Sequence, residues 1–242
     1  MIQKLKNKLR SLLSFHLLRY ISSGFFKKNR SKKNFFYKRQ KINRIALINK
    51  AITQMSGRQP IDYLEIGCDL DSTFKSISLP LENKIGVDPA RGGTLRMTSD
   101  EFFENNNKKF DIIFIDGLHE YKQCKKDLLN SLKVIKKGGY IFLDDMLPQT
   151  WAMAQKHRIV NKWMGDVWKV GVEISKIKEF KYFIAMSNYG IGFIKIGDND
   201  INFKDLTSLD FEKLHFDDFA EYAKNANNIL SGDEALKKIG EL

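Results

Sequence analysis

Cysteine is scarce in this chain: Cys68 and Cys124 are the only two among 242 residues. Two thiols make no disulfide framework, and these two have no metal-ligand spacing. Knottin-like and zinc-finger scaffolds are therefore excluded, and a reducing compartment is indicated. Long apolar runs are missing as well. No stretch approaches the roughly 20 uninterrupted apolar residues that a membrane-spanning helix needs. Hydrophobic residues are nevertheless 43% of the chain and aromatics 12%, too much for a disordered protein and enough for a real core.

The most uneven absence is that of negative charge. Residues 1–50 hold 15 Lys and Arg and no acid; the first is Asp62. Of the net +12, the remaining 192 residues account for −3, with 26 bases against 29 acids. A mildly acidic body thus carries a strongly basic arm over residues 1–40. Within it Ile2, Leu5, Leu9, Leu12, Leu13, Leu17 and Ile21 fall on one helical face, flanked by Lys4, Lys6, Lys8 and Arg10. The pattern predicts a basic amphipathic helix, suited to an anionic membrane interface or to packing on the body or a partner chain. Residues 25–39, FFKKNRSKKNFFYKR, interleave aromatics with bases, as nucleic-acid binders and interfacial segments both do. His16 and Arg19 interrupt the apolar run and argue against a secretory signal. The location expected is cytoplasmic, either free or peripheral at a membrane through the arm.

From residue 41 the pattern becomes orderly. Ile42, Ile45, Ile48, Ile52 and Met55 predict a helix over 41–56, stopped by Ser56, Gly57 and Pro60. Short apolar runs at 61–66, 84–88, 110–116 and 140–145 read as buried parallel strands. A helix is expected at 120–136 and helical structure near 165–178. YFIAMS and GIGFIKI, separated by Asn188 and Tyr189, read as a closing hairpin. This alternation predicts an α/β fold with a Rossmann-like, doubly wound, mostly parallel sheet and a C-terminal antiparallel hairpin. The expected organisation is an arm (1–40), the α/β domain (41–200) and an acidic helical tail (201–242).

Ligands of open α/β sheets sit outside the carboxyl ends of the strands. The polar residues there are Glu65 and Gly67, Asp88, Asp116 with His119, and Asp144 with Asp145. Five carboxylates at one edge suit a cationic ligand, a metal, or both. The turn after the first strand lacks the G-x-G-x-x-G of a dinucleotide site and has no Walker lysine. An acid two residues before a glycine suits an adenosine ligand bearing an ammonium and no phosphate; a plain structural turn is the alternative. Asp88 stands where an acid takes ribose hydroxyls.

In order along the chain stand YLEIG (63–67), GVDP (86–89), SDEFF (99–103), FDIIFIDGLHEY (110–121) and GGYIFLDDMLP (138–148). Together they resemble the class I S-adenosylmethionine (SAM)-dependent methyltransferases, in particular a branch often associated with polysaccharide biosynthesis. GDVWKV (165–170) and YGIGFIKI (189–196) resemble that branch's closing section. The resemblance implies SAM as cofactor, with Glu65, Gly67, Asp71, Asp88, Ser99, Asp100 and Asp116 around it. Asp71 stands where the family usually has a second glycine, so that its side chain either crowds the methionine end or pairs with the ammonium. The resemblance also implies O-methylation of a sugar, glycan or other small hydroxyl acceptor. His119 with Asp116 would then be catalytic, and Asp116, Asp144 and Asp145 would offer oxygens to Mg²⁺. For His119 the structural alternative is a loop histidine bonded to a carboxylate; for Asp144 and Asp145, a strand end and cap. Trp151, Trp163 and Trp168 are candidates for an acceptor pocket or for the core. The other function class is a degenerate Rossmann-like binding module whose arm holds membrane or nucleic acid.

Overall fold

The computed structural model describes residues 31–38, 41–197 and 210–242. The amphipathic helix expected at 2–21 lies outside them. Among the described residues no helix is long and apolar enough to cross a membrane.

Helix α1 (Arg44–Gln54) begins where the Asn43 side chain accepts the Ala46 N–H, a capping bond that satisfies one orphan donor of the first turn. Its stripe of Leu47, Ile48, Ala51 and Ile52 is buried. Each of the larger three contributes about 1.5–3 kcal/mol on burial. The parallel strands β1 (Tyr63–Ile66), β2 (Lys84–Val87), β3 (Phe110–Ile115) and β4 (Ile135–Leu143) follow, with α2 (Ser99–Asn105) and α3 (Tyr121–Val134) between them. A reciprocal capping box between Thr98 and Glu101 starts α2. Then come α4 (Trp168–Ile174), β5 (Lys181–Ala185), β6 (Ile191–Lys195), α5 (Phe216–Asn225), β7 (Ile229–Leu230) and α6 (Gly232–Glu241).

The seven strands form one sheet in the order β2-β1-β3-β4-β6-β5-β7. β1 pairs in parallel with β2 on one side and β3 on the other, so the winding reverses between β1 and β3. β6 runs antiparallel to both β4 and β5, which makes the expected hairpin. The fold is thus the Rossmann-like, mostly parallel α/β architecture.

Alternation along the strands divides the core in two. Leu64, Ile66, Ile113, Ile115, Ile141 and Leu143 face Cys124, Leu128 and Leu132 of α3, together with α4 and α5. Tyr63, Ile112, Phe114, Tyr140, Phe142 and Phe193 face α1 and, from α6, Ala235 and Ile239. Both cysteines are buried free thiols.

Three expectations about extent are revised. β4 starts at Ile135, five residues before the expected run; the ladder with β3 shifts register between Phe110 and Ile112. The C-terminal segment is not one appended helix: β7 extends the sheet beside β5, and the Tyr140 hydroxyl donates to the Ile239 carbonyl at 3.2 Å. Residues 31–38 of the basic arm lie on the body. Phe35 and Tyr37 pack against the core, and the Phe35 N–H donates to the Gln149 carbonyl at 2.9 Å.

Candidate active site

The carboxyl ends of β1 to β4 are knitted together by backbone bonds. Gly67 N–H donates to the Val87 carbonyl, Asp116 N–H to Ile66, and Asp144 N–H to Ile115, at 2.8–3.0 Å. Above this edge, at the reversal between β1 and β3, opens a cavity of about 880 Å³. Of the residues singled out in the sequence, Glu65, Gly67, Asp88, Ser99, Asp100, Asp116, His119, Asp144 and Asp145 line it. The structure brings nine of the ten together.

Asp71 is the exception. It sits at φ +62°, a left-handed conformation that Asp tolerates better than most side chains. Its Oδ1 accepts the Gly93 N–H at 2.6 Å, and Oδ2 lies 3.2 Å from Lys75 Nζ. The side chain is therefore spent on the neighbouring turn and does not line the cavity.

Asp88 is fully engaged by backbone. Oδ2 accepts the Cys68 and Asp69 N–H groups, and Oδ1 those of Ala90 and Arg91, at 2.8–3.0 Å. A carboxylate offers about four lone-pair positions, so all are in use. Burial opposes ionisation, but these bonds outweigh it and hold the carboxyl below its ordinary range. At the same end of the cavity the Gln123 amide donates to Ser99 Oγ and Asp100 Oδ1.

The other end is crowded with acid. Burial pushes Glu65 up to about 8, against a 2.5 Å hydrogen bond donated by the Tyr63 hydroxyl. Asp144 rises to about 7 through burial and the nearby Asp116, with Arg44 opposing. Asp145, at φ +62°, is raised well above the carboxylate range by burial and then by Asp144. His119 lies between two acids, its Nε2 3.5 Å from Asp116 Oδ1 and its Nδ1 3.3 Å from Asp145 Oδ2. Burial would lower its pKa, but the bond to Asp116 and the charge of Asp145 raise it to about 9. The Trp163 ring lies beside it, with centroids 5.2 Å apart and planes tilted by 32°. The loop behind is tight: a Cβ at Gly165 would stand 1.8 Å from the His119 carbonyl oxygen. Of the three tryptophans, Trp163 lines the cavity, Trp168 is core, and Trp151 packs partly against the core.

Arg44 was not singled out in the sequence, yet it is the cation of this end. It stands in the first turn of α1, where a positive charge opposes the helix dipole. Its Nη1 donates to Asp116 Oδ2 at 2.7 Å and to Asp144 Oδ2. The sequence held no distinct signal for it, because Arg44 follows Lys38, Arg39 and Lys41 in the basic stretch. Asn161, Lys162, Asn188 and Tyr189 complete the wall beside it.

Mg²⁺ held by Asp116, Asp144 and Asp145 does not fit this arrangement. Arg44 bonds two of the three carboxylates, and the free oxygen of Asp144 accepts the Asp145 N–H at 2.8 Å. Among the described residues, the group whose ligand atoms lie within 4.8 Å of one another is Asp116, His119 and Asp145. That set replaces a carboxylate by an imidazole, whereas Mg²⁺ prefers oxygen.

Residues 81–146 match the family model described as a methyltransferase domain. That segment includes Asp88, Ser99, Asp100, Asp116, His119, Asp144 and Asp145. An uncharacterized protein, R132, of Acanthamoeba polyphaga mimivirus is 29% identical over 147 residues. The alignment covers 46% of this chain and 62% of the viral protein, less than two thirds of its length. Among solved structures, an O-methyltransferase from Bacillus cereus in complex with SAH is 13% identical, covering 62% of this chain and 79% of that one, with TM-score 0.44. The O-methyltransferase TomG from Streptomyces achromogenes, in complex with SAM, is 12% identical, covering 62% and 78%, with TM-score 0.42.

Proposed function

We propose that this chain is a SAM-dependent methyltransferase that methylates a hydroxyl of a sugar or other small acceptor. One observation carries the reading. The segment that matches a methyltransferase domain supplies most of the acidic edge of a single cavity at the sheet's reversal point. Dinucleotide and nucleotide ligands are disfavoured, because among the described residues no glycine-rich phosphate cradle faces the cavity.

In this reading Gly67 lets the cofactor approach the backbone between β1 and β3. Glu65 and Asp116 face its methionine part, Asp88 and Pro89 form the ribose wall, and Ser99 and Asp100 meet the adenine. A ribose hydroxyl bonding Asp88 must share an oxygen with one of the four backbone donors. Glu65 keeps its proton at neutral pH in this environment, and a cationic ligand beside it favours the ionised form. Bound SAM would supply a methyl group on a sulfonium, so that what the chain must add is alignment and a base. His119 takes the acceptor's hydroxyl proton, Asp116 and Asp145 stabilise the imidazolium that results, and Trp163 fixes the ring. No step requires a metal. The acidic floor around the sulfonium also favours a positively charged methyl donor over an anionic one.

Isothermal calorimetry of the full chain with SAM tests the proposal. Saturable one-to-one binding is expected. A flat titration with a well-folded protein would leave a binding module of another kind.

A further inference from the structure

We infer that Arg44 is the built-in cation of the carboxylate cluster, its guanidinium holding Asp116 and Asp144 in the place where a divalent ion would otherwise bridge them. Three observations converge on it. The side chain reaches from the first turn of α1 to both acids, bonding Asp116 at 2.7 Å and Asp144 as well. Its helix is fixed: Leu47, Ile48 and Ala51 are fully buried, and the Arg44 N–H donates to Asn188 Oδ1 at 3.2 Å. The guanidinium also lies over the Phe114 ring, 5.8 Å from its centroid.

The chemistry favours arginine for this task. A guanidinium keeps its charge at any working pH and carries several N–H donors in one plane, so that a single nitrogen, Nη1, donates to both carboxylates here. Asp144, Asp116, Asp145 and Glu65 all act on Arg44 and outweigh its burial, so its pKa is raised. Without it, Glu65, Asp116, Asp144 and Asp145 would face one another across the sheet edge with no cation bonded to both Asp116 and Asp144 among the described residues. A divalent ion between Asp116 and Asp144 would need the same oxygens and would meet a fixed positive charge. Arg44 thereby acts as a positioning residue: it sets the two carboxylates while Asp116 remains within reach of His119. The cluster fixes this role whatever the cavity binds, so failure of SAM binding would leave it standing.

Mn²⁺ is the probe, read by the electron paramagnetic resonance signal of the free hexaaqua ion in titrations of the full chain. Wild-type protein is expected to leave the signal as in buffer. Arg44→Met should gain a saturable site, with Mn²⁺ association at least tenfold tighter, and adding Asp116→Asn should remove it. Saturable binding by the wild type that Asp116→Asn abolishes would overturn the inference. So would a folded Arg44→Met protein that gains no site. Should Arg44→Met fail to fold by circular dichroism, the wild type and Asp116→Asn decide alone. Mn²⁺ bound by the first and lost by the second overturns the inference, and a signal left free by the wild type upholds it.

Discussion

Gly67 and Asp116 meet backbone to backbone: a Cβ on Gly67 would stand 2.0 Å from the Asp116 carbonyl oxygen. Gly67 also adopts φ +85°, which side chains avoid. The close approach binds the end of β1 to the end of β3, the two strands between which the cavity opens. Gly67→Ala combines a clash with an unfavourable backbone, worth on the order of 1–3 kcal/mol for the conformation alone. At about 2–4 °C per kcal/mol for a domain of this size, melting should fall by several degrees and the heat of SAM binding should vanish. An unchanged melting temperature would show that the two strand ends tolerate separation.

Asp88→Ala removes the acceptor of four backbone N–H groups at once. Each buried donor left unpaired costs about 1–3 kcal/mol, although solvent can enter to relieve some of them. Stability and SAM affinity should therefore fall together, the latter by roughly tenfold or more. Asp88→Asn retains one acceptor oxygen and should lie between. If Asp88→Ala melts like the wild type while binding fails, the residue serves the ligand and not the loop.

Glu65 gives the site a pH signature. Its folded-state pKa, about 8, is above the ordinary 4.5, so the folded protein holds this proton more tightly than the unfolded chain. Stability from this group is complete below about pH 4.5 and is lost as pH rises through 8. Glu65→Gln mimics the protonated form and keeps an oxygen for Tyr63. Its melting temperature relative to wild type should rise steadily from pH 5 to pH 8.5. A constant difference across that range would mean that Glu65 is ionised throughout.

His119→Ala should lower methyl transfer by roughly 10²-fold or more while SAM affinity stays near normal. Since the neighbouring acids raise the imidazole to about 9, the base form is scarce at neutral pH. Wild-type turnover should accordingly climb as pH rises towards 9. Equal losses of SAM affinity and of melting temperature in His119→Ala would assign the imidazole to the fold instead.

The four parallel strands and their acidic ends were legible because each is a short buried run closing on a polar residue. Asp88, Asp116 and Asp145 could be placed at one edge from that alone. Arg44 was hidden because helical periodicity reports only the apolar face, and a lone base in a basic segment carries no contrast. The C-terminal segment was misread because β7 is two residues long and its pairing with β5 spans more than forty positions. The start of β4 was hidden because Ile135 continues the apolar spacing of the preceding helix, expected over 120–136, and Gly138 and Gly139 follow as if to close it. Asp71 shows a further limit: residue type gave a carboxylate, but its backbone angle directs that carboxylate to Gly93.

The part of the basic arm that lies on the body can be tested by truncation. Phe35 packs edge-on against Phe219 at 6.0 Å, and the Tyr37 hydroxyl donates to the Leu147 and Asn188 carbonyls. A chain starting at Lys41 lacks these contacts and should melt lower than one starting at Ser31. Residues 1–30 retain eight Lys and Arg and no acid. Near an anionic membrane each is worth about 1 kcal/mol, and screening limits that attraction to roughly 8 Å at physiological ionic strength. The full chain should cosediment with anionic liposomes and be released as salt rises, and the chain starting at Ser31 should stay in the supernatant. Cosedimentation that survives the truncation would move the contact to the body, and a full chain that ignores liposomes but shifts RNA in a gel would make nucleic acid the partner.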